Sequence, residues 1–84
     1  MSATDTQIAA RMDTASAMVL RLLCLEVLHD RPCTADEVAT HLCRSVLSIR
    51  PRISELNRAG AIRDTLRRRP NASGHSAIVW EVAP

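Results

Sequence analysis

Between Met18 and Leu28 the chain is almost continuously apolar: Met18, Val19, Leu20, Leu22, Leu23, Leu25, Val27 and Leu28, with Arg21 and Glu26 the only charges. The length of the run, and its lack of Gly and Pro, predict a helix over 14–29 with Asp13 as its N-cap. One face of a helix cannot hold so many apolar residues. This helix is therefore either covered on most sides within its own domain or meets a second copy of the chain, through a seam that would include Leu20, Leu23 and Val27. Asp30-Arg31-Pro32 ends it. Thr34-Ala35-Asp36-Glu37 then spells a capping box, which predicts a second helix over about 35–43 with Val38, Leu42 and Ala39 inward.

A third helix follows the turn Arg44-Ser45-Val46-Leu47. Starting it after a Ser48 cap leaves Pro51 at the third helical position, where no intrahelical amide is needed; starting it at Ser45 would place the proline deeper, at the cost of a hydrogen bond. Ile49, Ile53 and Leu56 then share the core face, and Arg50, Ser54 and Asn57 share another. Gly60 is expected to end the helix in a left-handed conformation. Beyond it, 61–69 alternates imperfectly around Ile62 and Leu66 as apolar anchors. Pro70–Gly74 is rich in turn formers, and 75–82 reads as a strand with Ile78, Trp80 and Val82 on one face and Ala77, Val79 and Glu81 on the other. The fold class expected is α+β: three helices, then a two-stranded β-hairpin. Residues 1–12, polar and alanine-rich, form an arm before a single domain at 13–84.

Charge changes this picture from architecture to partner. The net charge is only +2, but it is segregated. Residues 1–43 carry three arginines against six acids; residues 44–69 carry eight arginines against Glu55 and Asp64. An acidic body with a basic working face fits a polyanionic partner, and the plain alternative is a solvated charged surface. Arg50 and Arg52, placed near the start of the third helix, oppose the helix dipole, a conflict that a bound polyanion would relieve. Arg52 is also three residues before Glu55, the spacing of an intrahelical ion pair. Trp80 is the only aromatic residue, which argues against modules that stack single-stranded bases on aromatic side chains.

Other chemistry is thinly represented. Cys24, Cys33 and Cys43 are odd in number and form no CxxC pair, which fits a reducing cytoplasm. With His41 they make a zinc site only on paper, since His41 and Cys43 are two residues apart on a helix. There is no Gly-rich phosphate loop, paired acid/base carboxylate or nucleophile elbow, and no signal peptide or membrane span is visible. A non-enzyme with no metal and no cofactor is expected.

The run Ser48-Ile49-Arg50-Pro51-Arg52-Ile53-Ser54-Glu55-Leu56, followed by Ala59-Gly60-Ala61-Ile62, resembles the recognition helix of small phage and bacterial winged helix-turn-helix proteins. Asn71-Ala72-Ser73-Gly74-His75-Ser76-Ala77-Ile78-Val79-Trp80 is similar to their wing, although His75 stands where a basic residue such as Arg is expected. The resemblance covers about residues 14–82. It implies a DNA-binding regulator, phage- or mobile-element-encoded, with the helix at 49–59 in the major groove of double-stranded DNA and the wing at 63–80 on the backbone. Arg50, Ser54 and Asn57 are the base-edge candidates. Arg44, Ser45, Arg58, Arg67, Arg68, Arg69 and His75 are the phosphate candidates. The other reading is a protein-interaction module, for example an inhibitor of a host polymerase, nuclease or defence complex, in which the first helix is the partner surface and not a dimer seam.

Overall fold

The computed structural model describes residues 17–84, so the expected arm at 1–12, the Asp13 cap and the first helix's start at 14 lie outside the described residues. Helices α1 (Ala17–Asp30), α2 (Ala35–Leu42) and α3 (Val46–Arg58) precede an antiparallel hairpin of β1 (Ile62–Pro70) and β2 (Ser76–Val82). This is the α+β layout of a winged helix. No helix among the described residues is long and apolar enough to cross a membrane.

The core lies where the three helices meet. Leu20, Cys24 and Leu28 of α1, at i, i+4 and i+8, pack with Val38 and Ala39 of α2 and with Ile49, Ile53 and Leu56 of α3. Leu20 is only 4% exposed and so belongs to this core; it is not available for a seam between copies. Leu23 and Val27 are half-buried against the core edge, whereas Met18, Val19 and Leu22 are the apolar residues that α1 leaves in solvent. An all-round apolar helix has no single stripe, and the structure selects the face that α2 and α3 cover.

Local chemistry sets the joints. Thr34 Oγ1 accepts from the Glu37 amide at 3.1 Å and Glu37 Oε1 accepts from the Thr34 amide at 2.8 Å, the reciprocal capping box. Gly60 has φ +77°, and the Ala61 amide bonds the Leu56 carbonyl at 2.9 Å, which closes the end of α3 as expected. Glu55 receives Arg52 at 2.7 and 2.9 Å within α3 and Arg21 of α1 at 3.0 Å, so one carboxylate ties two helices together. Those hydrogen bonds hold its carboxyl below the ordinary range. Burial pushes the Cys24 thiol up to about 11 and raises that of Cys33 as well.

The start of α3 departs from expectation. Ser45, not Ser48, is the N-cap: its Oγ accepts from the Leu47 amide at 3.1 Å and its carbonyl takes the Ser48 and Ile49 amides. Pro51 therefore sits inside the helix. The earlier start brings Val46 against the core and keeps Ile49 completely buried, and these tertiary contacts override the local preference of the proline.

The hairpin is irregular. Ile62, Arg63 and Asp64 pair with Val82, Glu81 and Trp80; then Arg68, Arg69 and Pro70 pair with Ile78, Ala77 and Ser76. Thr65, Leu66 and Arg67 thus bulge opposite Val79 alone. Side chains support the bulge: Thr65 Oγ1 donates to the Val79 carbonyl at 2.7 Å, and Asp64 Oδ1 accepts from the Leu66 amide at 2.7 Å. Leu66 has φ +70° and is 85% exposed, so it anchors nothing in the core; Ile62 and Val79 are the buried residues of the hairpin. Trp80 also exchanges two backbone hydrogen bonds with Cys33, at 2.8 and 3.1 Å, which fastens β2 to the segment between α1 and α2.

Candidate nucleic-acid interface

Burial of Ile49, Ile53 and Leu56 turns the opposite side of α3 to solvent. Leu47, Arg50, Pro51, Ser54, Asn57 and Arg58 form one exposed stripe, at the i, i+3, i+4, i+7, i+10 and i+11 spacing of a single helix face. The three base-edge candidates, Arg50, Ser54 and Asn57, all fall on it. Sequence reasoning missed Leu47, 79% exposed, and Pro51. Leu47 joins the stripe only because the helix begins at Val46, and a signal for this was the second hydroxyl, Ser45, one turn before Ser48; Pro51 is helical with either start.

The wing stands beside this stripe. An open groove of about 370 Å³ is lined by Arg50 and Ser54 of α3, by Asn71, Ser76 and Ile78 of the hairpin and its turn, and by Asp36 of α2. Asn71 and Ser76, missed by the sequence reading, supply polar groups from the base of the wing turn. That turn is held by hydrogen bonds from the Asn71 amide to the His75 carbonyl at 2.8 Å and from Gly74 to Asn71 at 2.9 Å. His75, exposed at its end, approaches Ser73 Oγ through Nδ1 at 3.2 Å.

The arginines divide into two sets. Several are already engaged with carboxylates. Arg50 binds Asp36, Arg68 binds Asp64 at 2.9 Å, and Arg63 binds Glu81 at 2.7 Å across the hairpin. Arg69 meets Glu37 at 3.3 Å and the Pro32 carbonyl at 3.0 Å, and Arg52 is spent on Glu55. The hydrogen bond from Arg68 is the largest reason the Asp64 carboxyl lies below its usual range. Arg44, Arg58 and Arg67 are exposed and have no carboxylate partner among the described residues. The basic face is therefore less positive than its arginine count suggests.

The expected dipole conflict is also absent. Helix α3 begins one turn earlier, and its first turn holds Val46, Leu47 and Ser48. Arg50 and Arg52 lie beyond the first turn, where the dipole has little hold. Ser45, expected as a phosphate ligand, is exposed but uses its hydroxyl on the Leu47 amide.

The sulfur and imidazole groups do not converge. Cys24 and Cys33 are buried, Cys43 is exposed, and His41 lies against Arg31. Among the described residues no group of His, Cys, Asp and Glu is placed to hold a metal ion.

Comparison with known protein families, curated proteins and solved structures finds no match to this chain. The class of the protein, a winged-helix layout, rests on its own helices and hairpin.

Proposed function

We propose that the chain is a DNA-binding winged-helix protein, a transcriptional regulator of the phage and bacterial kind, that lays α3 in the major groove and its wing along the backbone. The observation that carries this is the exposed stripe of α3, whose Arg50 and Ser54 line one open groove together with residues of the wing. A helix fits the major groove, where Arg50, Ser54 and Asn57 have hydrogen-bond partners on base edges. Leu47 and Pro51 add apolar surface suited to a thymine methyl group. Arg44, Arg58 and Arg67 are the ready phosphate contacts, and Arg68, Arg69 and His75 border them along the wing. The protein acts by binding, without catalysis.

The test is affinity for a random-sequence duplex as salt is raised. Neutralising three or more phosphates is expected to weaken binding on the order of 10²-fold between about 50 and 200 mM salt. Absence of binding at the lower salt would remove DNA as the partner. The ion pairs of Arg50, Arg68 and Arg69 favour the second reading, a protein-docking module, because they leave less free positive charge for phosphates.

A homodimer through α1 belongs to the first reading, with its seam moved to Met18, Val19 and Leu22 and with Leu23 and Val27 at its border. Sedimentation at micromolar concentration is expected to give twice the chain mass, and Leu22→Asp to return it to one. A single-chain mass for the unaltered protein would exclude the seam, and with it a palindromic site.

A further inference from the structure

One contact on the exposed stripe of α3 reaches a different helix. Arg50 Nε donates to Asp36 Oδ1 at 3.0 Å, and Nη2 donates to Oδ2 at 2.9 Å. A guanidinium is planar and presents its N–H bonds in fixed forks. The carboxylate occupies the side fork, formed by Nε and one Nη2 hydrogen. The end fork, formed by Nη1 and the other Nη2 hydrogen, has no acceptor among the described residues. That end fork can bond O6 and N7 of guanine together.

Both members of the pair stand on firm ground. Asp36 is in the first turn of α2, within the Thr34–Glu37 capping box, and its side chain is only 28% exposed. Arg50 lies between two core residues, the buried Ile49 next to it and Ile53 almost one turn on. A long, flexible side chain held at one edge loses less freedom when its other edge binds.

We propose that Asp36 is a positioning residue that holds Arg50 by one edge so that the other reads a guanine. This rests on the DNA-binding reading. Asp36 touches no base. It restricts the guanidinium to one orientation, and its negative charge disfavours a phosphate at the same place. Arg50 is thereby kept for a base edge, while Arg44, Arg58 and Arg67 hold the backbone.

The experiment begins with duplexes selected from a random library by the unaltered chain. The guanine read by Arg50 is the one whose preference Arg50→Ala abolishes. At that position the unaltered protein is expected to favour guanine over other bases roughly 5- to 150-fold. Asp36→Ala is expected to reduce this preference to about twofold or less, with affinity for random duplex unchanged or raised. Replacing the guanine with 7-deazaguanine, which lacks the N7 acceptor, is expected to weaken the unaltered protein and to leave Asp36→Ala nearly unmoved. A strut between α2 and α3 alone would shift the melting temperature and leave the base preference intact. Full guanine preference in a folded Asp36→Ala variant, or in Asp36→Asn should the alanine variant not fold, overturns the assignment. Failure of the unaltered protein to bind any duplex at low salt overturns the DNA-binding reading as well, so the two failures are distinguishable.

Discussion

Ile49→Ala is expected to destabilise the fold by about 2–5 kcal/mol, the range for emptying a large aliphatic site in a packed core. Ile49 is 0% exposed and shares one cluster with Leu20, Cys24, Val38, Ile53 and Leu56. The walls of the resulting cavity cannot easily close. Helix α1 is fastened to α3 by the Arg21–Glu55 pair, and α2 is fixed at its start by the capping box. A chain of this size has a modest core, and total stability of small domains is only about 5–15 kcal/mol. Loss of this much is expected to lower the melting temperature by about 10–30 °C. Urea unfolding at constant m-value measures the effect directly. Ser54→Ala, on the exposed side of the same helix, is the matched control and is expected to stay within about 0.5 kcal/mol. A cost below about 1 kcal/mol for Ile49→Ala would mean that α3 does not pack on α1 and α2 through this residue. The functional consequence is direct, because the same three buried residues that hold α3 also turn its stripe outward.

The features legible in the sequence are those with local causes. The capping box, the Gly60 stop, the Ile49–Ile53–Leu56 face and the hairpin each follow from residues a few positions apart, and each is present. Most of the departures involve partners distant in the chain. The covered face of α1 was unreadable because apolar residues surround that helix; α2 and α3 make the choice, burying Leu20 and leaving Met18 out. Leu66 fits an alternating strand on paper, but a bulge supported by Asp64 and Thr65 turns it to solvent. The Cys33–Trp80 bridge and the Arg50–Asp36 and Arg69–Glu37 pairs join separate elements. For the site, the sequence located the face of α3 and the wing. It could not say which arginines already have a carboxylate, and that decides which remain for phosphate.

Pro51→Ala is expected to raise stability while weakening DNA binding. Inside a helix a proline removes one hydrogen bond and crowds the carbonyl four residues back, at a cost of about 3 kcal/mol. In α3 that carbonyl belongs to Leu47. The stiffer unfolded chain returns about 0.4–1 kcal/mol of this, which leaves a net gain for alanine near 2 kcal/mol and a rise in melting temperature of about 10 °C. Pro51 is exposed, so it offsets none of that cost by packing in the core. A residue that weakens its own helix and touches nothing inside is best explained by what it meets outside. It stands four residues after Leu47 on the face that carries Arg50, which puts two apolar surfaces beside the base-edge candidate. In a selected duplex, replacing the relevant thymine by uracil removes only a methyl group. That change is expected to weaken the unaltered protein several-fold and to have little effect on Pro51→Ala. A stabilised variant with full affinity would instead leave the proline no part in the interface. A destabilised one would mean that the packing of Ile49 and Ile53 depends on the helix geometry the proline imposes, so that the cost assigned to it is already recovered within the fold.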